Sequence, residues 1–132
     1  MTVFLDTVGL LAVWDGSDQW HVAAQAAFQQ LSAARANLLT TNFVLAECGN
    51  AAARRPYRQA VSRLRQQMES TNRLVIPTSE DWAIAWAAYD QGEASPAGIV
   101  DQVSFAVMRR LEINSAFTND RHFRSAGFQI LF

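Results

Sequence analysis

Four acidic residues stand where carboxylates could bind a divalent metal ion for phosphodiester hydrolysis. Asp6, Asp101 and Asp120 fall at the ends or first turns of predicted elements, and Glu47 lies in a predicted helix, in a 132-residue chain with only 12 acids. Each has an ordinary explanation when taken alone. Asp6 and Asp120 could cap helices, a helix dipole would favour Asp101, and Glu47 could be solvated. A metal site therefore requires that the fold bring the four acids together.

Short β-prone runs alternate with helical patterns along the chain. The predicted strands are Thr2–Leu5, Leu38–Thr41, Arg73–Pro77, Asn114–Thr118 and Phe128–Phe132. The predicted helices cover about residues 8–14, 20–34, 42–53, 56–70, a segment that starts at 79, 99–111 and 120–126. Right-handed crossovers would place these helices on both faces of a parallel sheet. The pattern predicts one α/β domain over residues 1–132.

Apolar residues at helical spacing predict the buried faces of three helices. The expected inward positions are Val22, Ala26, Phe28 and Leu31, then Tyr57, Val61, Leu64 and Met68, then Trp82, Trp86 and Tyr89. The last three are interpreted as core residues in preference to a ligand-binding cluster. The stripe from Tyr57 to Met68, with Trp14 and Trp20, fits core packing better than a partner surface, although both interpretations remain open.

In a parallel sheet the segments that follow each strand lie at one edge. Asp6 and Asp120 would be neighbours there if the first and fourth strands were adjacent, and Glu47 and Asp101 come from helices that begin at this edge. Carboxylates within about 4 to 6 Å raise each other's pKa unless a cation offsets their charge. Oxygen ligands suit Mg²⁺ and also Mn²⁺, and Mg²⁺ keeps positions for water and phosphate. The four acids therefore predict a metal site with open positions.

The composition and motifs exclude several other functions. All 11 basic residues are arginine and the net charge is −1, which argues against a generally basic nucleic-acid-binding surface. Receiver domains and haloacid-dehalogenase-type phosphatases need a lysine that this chain lacks, and the second acid of the dehalogenase pattern is replaced by Val8. The chain has no Gly-x-x-x-x-Gly-Lys loop and no Gly-x-Gly-x-x-Gly motif. Nucleotide-hydrolysing and dinucleotide-binding functions are therefore excluded.

Histidine and cysteine chemistry has little support in the sequence. A Ser-His-Asp hydrolase needs a serine at a sharp strand-to-helix turn, and neither His21 nor His122 has such a partner, so both histidines are interpreted as structural. Cys48 is the only cysteine and has no neighbours at zinc-ligand spacing. No apolar run approaches the roughly 18 residues of a membrane span, and no signal segment is evident. We therefore expect a reduced, cytoplasmic setting without membrane association.

Four segments resemble the motifs of a known nuclease family. They are Val3–Thr7, Asn42–Glu47, Ile99–Met108 and Phe117–Phe123. Over nearly the whole chain and in this order, they resemble PIN-domain ribonucleases, most closely the VapC toxins of prokaryotic toxin–antitoxin pairs. The likeness is most specific in the last third, where Asp120–Phe123 and Ala126–Phe128 look like the family's tail. Asn119 departs from the pattern, because the family often has an aromatic or apolar residue before the last acid.

The resemblance implies a fold and assigns roles to the four acids. The family has a three-layer PIN-like fold in which helices flank a five-stranded parallel sheet of order 3-2-1-4-5. Asp6 and Asp101 match the principal metal ligands of the family, and Glu47 and Asp120 match the acids that complete the site. The implied cofactor is Mg²⁺, with Mn²⁺ as the other suitable ion.

Hydroxyl groups are expected around these acids. Thr7 and Thr118 match family positions that orient carboxylates or waters. Ser104 shares a helix face with Asp101, one turn further along.

Binding of RNA would also need positively charged residues next to the site, because the four acids repel the RNA phosphates. Residues 54–65 contain five arginines, and arginine suits phosphate contacts. The expected RNA contacts are Arg54, Arg55 and Arg58. A solvated helix face explains the same arginines equally well.

The implied function is a Mg²⁺-dependent endoribonuclease that leaves a 5′-phosphate and acts as the toxin of a VapBC-type module in a prokaryotic cytoplasm. A small VapB-like antitoxin is the implied partner besides the RNA substrate, and the resembling toxins form homodimers. Two alternatives remain, a PIN nuclease of RNA processing without a toxin role and a catalytically silent PIN scaffold. The presence of all four acids counts against the scaffold.

Overall fold

A five-stranded parallel sheet forms the centre of the fold in the computed structural model, which describes residues 1–132. The strands are β1 (Thr2–Leu5), β2 (Asn37–Thr41), β3 (Leu74–Val75), β4 (Ser115–Phe117) and β5 (Gln129–Ile130). Their order across the sheet is β3-β2-β1-β4-β5, and all neighbouring pairs are parallel. The predicted α/β class and the strand order 3-2-1-4-5 are confirmed.

Seven α-helices connect the strands. They are α1 (Thr7–Trp14), α2 (His21–Ala33), α3 (Asn42–Ala52), α4 (Arg58–Ser70), α5 (Ser79–Tyr89), α6 (Ile99–Arg110) and α7 (Arg121–Ser125). A 3₁₀ turn, Gly92–Ala94, lies between α5 and α6. None of these helices has the length and apolar character needed to cross a bilayer.

The element boundaries differ from the predicted ones mainly at the sheet edges. The strands β3 and β5 have two residues each, shorter than predicted, because an edge strand pairs on one side only. The helix α4 begins at Arg58 instead of Pro56, since residues 54–57 form turns that end with a backbone hydrogen bond from Arg58 to Arg55.

The central strands are buried on both faces. Val3, Phe4 and Leu5 of β1 and Phe117 of β4 have no exposed surface, as expected of a parallel sheet that helices cover on both sides. Gly9 brings α1 against β4, because a Cβ at this position would overlap the carbonyl oxygen of Phe117. The start of α1 is therefore held close to the end of β4, where two of the four acids lie.

Two of the three predicted helix faces need correction. On α2 the buried residues are Ala24 and Leu31, with Phe28 packed against the core, while Val22 is 80% exposed and was wrongly placed inside. Ala26 is also exposed and also wrong. The reason is that an alanine-rich helix has little contrast between its faces, so its apolar pattern does not select one of them.

Two of the three aromatic residues of α5 are placed differently from the prediction, whereas Trp82 packs against the core as predicted. Trp86 and Tyr89 are 47% and 46% exposed, and their rings contact each other at 5.3 Å on the surface. The contact of α5 with α6 is made by the small residue Ala85, packed on Val103 and Val107. A close helix pair leaves no room for the larger rings, which therefore point outward.

The stripe on α4 packs inward as predicted. Val61 and Met68 are buried, and Tyr57 and Leu64 pack against the same core. The interpretation as core residues is confirmed for this stripe and for Trp14, which packs against the same core, but it is wrong for Trp20, which is 46% exposed.

An ion pair holds the beginning of α5 to the end of α6. Asp81 is 1% exposed and accepts hydrogen bonds from Nε and Nη2 of Arg110 at 3.0 and 2.8 Å. Its other bonds form a capping box with Thr78, whose backbone N–H donates to Asp81. The paired geometry fixes the position of α6, the helix that carries Asp101.

Candidate metal centre

Asp6 lies at the carboxyl end of β1, where the chain turns into α1. Its side chain is 2% exposed, and its Oδ2 accepts a hydrogen bond of 2.8 Å from the hydroxyl of Thr118. The same oxygen caps α1 through a longer bond of 3.4 Å from the backbone N–H of Val8. Burial, and then the charge of Asp101, raise the pKa of Asp6 to about 7. Asp6 is thus a helix cap and a carboxylate that needs a compensating charge.

Glu47 is oriented by the residue that follows Asp6. The hydroxyl of Thr7 donates to Oε1 of Glu47 at 2.7 Å, which joins the first turn of α1 to α3. Glu47 is half-buried, so it is not the freely solvated glutamate that was the alternative explanation. Its second oxygen, Oε2, accepts no hydrogen bond from the protein.

Asp101, Asp120 and His122 form a close group of ligand atoms that does not include Asp6 or Glu47. One ligand atom from each lies within 4.8 Å of the others. Burial is the largest cause that raises the pKa of Asp101 to about 6, followed by the charges of Asp120 and Glu47, while His122 lowers it. Asp101 therefore interacts electrostatically with each of the other three acids, since it also raises the pKa of Asp6.

Asp120 has a double role like that of Asp6. Its Oδ1 caps α7 by accepting a hydrogen bond of 2.9 Å from the backbone N–H of His122. The same oxygen lies 3.2 Å from Nδ1 of His122. The capping explanation is correct for both aspartates, and it does not compete with a metal site because each carboxylate has a second oxygen.

A divalent cation fits this donor set. Four carboxylates, two of them with strongly raised pKa values, are stable together only if they hold protons or share a cation. Oxygen donors of this kind suit Mg²⁺ or Mn²⁺. Asp101, Asp120 and His122 lie within ligand distance of one another, and Asp6 is the most buried acid of the group.

The predicted hydroxyl residues take different positions. Thr7 and Thr118 bond to carboxylates of the group, as described above. Ser104 is fully buried and lies one turn along α6 from Asp101, but its hydroxyl has no hydrogen-bond partner. The role predicted for Ser104 stays a prediction.

The three arginines expected to contact RNA are dispersed. Arg55 forms an ion pair of 3.1 Å with Asp15, and Arg58 donates to the backbone carbonyl of Ala53 at 3.0 Å. Arg58 also lines a cavity of about 410 Å³ between α3 and α4, on the side of α3 that faces away from Glu47. Arg54 is exposed and forms no ion pair. Of the three, only Arg54 has a free guanidinium, and contact with RNA stays a prediction for all three.

His122 is the residue of the group that the sequence prediction missed. It was interpreted as structural, yet it lies with Asp101 and Asp120 and is exposed. The available signal was its spacing, because His122 lies in the first turn of the short helix that Asp120 caps. His21, by contrast, is structural as predicted, with Nδ1 at 2.8 Å from the carbonyl oxygen of Ala12.

The lone cysteine lies close to the acids, and its thiol is expected to be unreactive. Cys48 is fully buried, and its burial, followed by the charges of Asp6 and Glu47, raises the pKa of its thiol to about 12. A thiol that stays protonated is a poor nucleophile.

The chain is similar to a known protein family and to solved structures. Residues 3–129 match the family model described as PIN domain. VapC20 of Mycobacterium tuberculosis, described as a sarcin-ricin loop cleaving toxin, is 29% identical with a TM-score of 0.80, and the match covers 96% of this chain and 95% of that one. FitAcB from Neisseria gonorrhoeae shares the fold at 15% identity, with a TM-score of 0.65 over 100% of this chain and 97% of that one. Among curated proteins no sequence matches significantly.

Proposed function

The chain belongs to the PIN-domain family, and from this premise we propose that it is a Mg²⁺- or Mn²⁺-dependent endoribonuclease. The observation that carries the proposal is an acidic group at one edge of the sheet, in which Asp101 and Asp120 lie within ligand distance of each other. Asp6 and Glu47 interact electrostatically with Asp101, and the pKa values of Asp6 and Asp101 are raised. Such a group has no structural purpose that requires four carboxylates, because the capping roles use only Asp6 and Asp120. Binding of a divalent cation accounts for all four.

Some of these residues would bind the cation, and others would act on the attacking water. Asp6 and Asp101 hold the cation, and Thr118 keeps Asp6 in position. A bound divalent cation would polarise the scissile phosphate and lower the pKa of an attacking water. Glu47, with one oxygen fixed by Thr7 and the other free, is placed to accept a proton from that water.

The toxin role is part of the proposal. The structural relative VapC20 is described as a toxin and is similar over nearly its whole length. We propose the same class of role here, with RNA as substrate, a small VapB-like antitoxin as the inhibitory partner and a cytoplasmic site of action in a prokaryote. The exposed Trp86 and Tyr89 on α5 supply apolar surface for a homodimer contact.

The alternative is a PIN nuclease of RNA processing that is not toxic to its host. Its active site would be identical, so the two roles differ in cellular effect and not in chemistry. A small reading frame for an antitoxin next to the gene would favour the toxin. A catalytically silent scaffold is disfavoured by the complete set of four acids.

Cleavage assays with matched aspartate variants test the proposal. Purified wild type, Asp6→Asn and Asp90→Asn would be incubated with RNA in Mg²⁺, Mn²⁺ or EDTA. Asp90 is an exposed aspartate at the end of α5, outside the acidic group, and its variant should cleave like wild type. We expect at least a 100-fold loss for Asp6→Asn and none for Asp90→Asn. Intact RNA with wild type in both metals would reject the nuclease proposal, and equal rates for the two variants would reject the metal centre.

Expression in a bacterial host tests the toxin role separately. Wild type should arrest growth and Asp6→Asn should not. Growth arrest by both proteins would show that toxicity does not depend on cleavage.

A further inference from the structure

A cavity lies next to the acidic group and is lined mostly by residues outside it. It has a volume of about 400 Å³ and lies between α6, α7 and the segment that leads from α5 into α6. His122 belongs both to its wall and to the group with Asp101 and Asp120. The cavity therefore opens beside the place where a scissile phosphate would be held.

One wall of the cavity is a single face of α6. Gln102, Phe105 and Arg109 all line it, at the spacing of residues that share a helix face. These three positions span about 10 Å along the helix. The cavity thus begins near Asp101, in the first turn of α6, and ends near the last turn.

The lining combines apolar surface with fixed polar groups. Phe105 and Ala97 are buried and apolar. Gln102 is 4% exposed, and its Nε2 donates to the hydroxyl oxygen of Ser95 at 2.8 Å, which holds the opposite wall. The Oε1 of Gln102 accepts no hydrogen bond from the protein, and the hydroxyl of Ser95 keeps its own proton to donate. An acceptor and a donor side by side, above an apolar floor, match the edge and face of a nucleobase.

A free positive charge lies at the far end. Arg109 donates from Nη2 to the carbonyl oxygen of Ala126 at 3.0 Å, and its guanidinium lies 5.3 Å from the centre of the Phe128 ring. No carboxylate pairs with it. An arginine held in place without a counter-ion suits contact with a phosphate.

We propose that this cavity binds the nucleotide next to the scissile phosphate. The unstacked base enters the cavity, lies against its apolar wall and hydrogen-bonds to Gln102 and Ser95, while Arg109 contacts a phosphate further along the strand. The inference rests on the proposed nuclease function and adds a specificity site to it. A base paired in a duplex cannot enter, so cleavage requires an unpaired nucleotide at this position.

Abasic substrates test whether a base occupies the cavity. An oligoribonucleotide with a mapped cleavage site would be compared with a set in which each nucleotide flanking the cleaved bond is made abasic in turn. We expect kcat/KM of the wild type to fall at least 10-fold at one flanking position, since burial of a base on an apolar wall is lost there. The other positions should have smaller effects.

A variant in which the cavity is filled should no longer lose kcat/KM when the substrate is made abasic. Ser125 is exposed on α7 and lines the cavity, so Ser125→Trp would fill it without disturbing the core. This variant should cleave the intact substrate at least 10-fold more slowly than wild type and should no longer distinguish it from the abasic one. The matched control is Ser70→Trp at the exposed end of α4, which should retain both the rate and the distinction. Equal Mn²⁺ affinities of the three proteins would show that the metal centre is unchanged.

The salt dependence of cleavage tests Arg109. Arg109→Gln should lower the slope of log kcat/KM against log salt concentration by about 0.7, the value for one phosphate contact on a single strand. Arg35→Gln is the control, because Arg35 is also exposed and unpaired but does not line the cavity.

The outcomes separate this inference from the function on which it rests. Absence of RNA cleavage by wild type would overturn both. Cleavage that is insensitive to abasic nucleotides at all flanking positions, or that stays sensitive in Ser125→Trp, would overturn the cavity assignment and leave the nuclease intact.

Discussion

Thr118 donates a hydrogen bond of 2.8 Å to Oδ2 of Asp6, and both side chains are almost completely buried. The same hydroxyl oxygen accepts a hydrogen bond of 3.1 Å from the backbone N–H of Asp120. One threonine at the end of β4 thus orients an acid after β1 and an acid after β4. The position of the candidate metal ligands depends on a pairing between strands that are distant in the sequence.

We expect Thr118→Val to weaken Mn²⁺ binding about 10- to 100-fold, the usual effect of removing a group that orients a metal ligand. The valine keeps the shape of threonine but cannot donate to Asp6. The matched control is Thr40→Val, because Thr40 is equally buried and its hydroxyl donates to the carbonyl oxygen of Leu5 instead. Titration of metal-free protein with Mn²⁺ would measure both affinities. Equal weakening in the two variants would show that Thr118 acts through stability alone.

Thr7→Val should release Glu47 and lower the rate of RNA cleavage, while Thr7→Ser should keep most of it. Serine retains the hydroxyl that donates to Oε1 of Glu47 at 2.7 Å. The expected loss for valine is about 10-fold, the lower end for a missing orienting bond. Steady-state kinetics on one RNA substrate would compare the two variants with wild type. Equal rates for valine and serine would contradict the proposed role of this hydroxyl.

The stability of the metal-free protein should fall as the pH rises from about 4 to 7. Burial raises the pKa of Asp6 to about 7 in the folded protein, whereas an aspartate in the unfolded chain titrates near pH 3.9. Between these two values the folded protein retains a proton that the unfolded chain has released, so stability is lost as the pH increases through this range. Asp101, with a pKa raised to about 6, adds to the effect in the same direction.

Asp6→Asn should therefore be more stable than wild type at pH 8 by on the order of a few kcal/mol, and the difference should shrink at pH 5. Thermal unfolding in EDTA at both pH values would measure it. Mn²⁺ at pH 8 should stabilise wild type more than the variant. If the stability difference between wild type and Asp6→Asn were the same at pH 5 and at pH 8, Asp6 would not be protonated in the metal-free fold.

His122→Gln should reduce Mn²⁺ affinity about 10-fold and affect Mg²⁺ affinity less. An imidazole suits transition metals better than Mg²⁺, which prefers oxygen ligands, and His122 lies within ligand distance of Asp101 and Asp120. His21→Gln is the control, since His21 bonds to the backbone of α1. Competition titrations of Mn²⁺ with Mg²⁺ would separate the two affinities. Equal losses for both ions would indicate that His122 only orients Asp120.

Arg110→Gln should destabilise the protein by about 2 kcal/mol, less than a fully buried pair would cost because Arg110 is partly exposed. The change leaves Asp81, which is 1% exposed, without its bidentate partner. The melting temperature should fall by roughly 6 to 10 °C, with little change in the cleavage rate per folded molecule, since Arg110 lies at the end of α6 opposite to Asp101. The exposed pair of Arg65 with Glu69 offers the control variant Arg65→Gln, expected to change stability by less than about 0.5 kcal/mol.

Local patterns were sufficient to locate most elements and the four acids. The run Thr2–Leu5 followed by Asp6 identifies a buried strand and a helix cap because both depend on neighbouring residues. The same holds for Asp120, which caps α7 as predicted. The pattern was insufficient for α2 and α5, where alanines fill both faces, so that Val22, Trp86 and Tyr89 were assigned to the core although they are exposed.

The amino-acid sequence by itself determined the alternation of strands and helices, the positions of the acids and the absence of a lysine that rival enzymes require. The strand order came from resemblance to a family, since local periodicity does not say which strands pair. Only the tertiary structure decided that Thr118 orients Asp6, that Thr7 orients Glu47 and that His122 joins Asp101 and Asp120. The physical reason is range: capping and periodicity act within a few residues, whereas these contacts depend on distant segments that meet at one edge of a folded sheet.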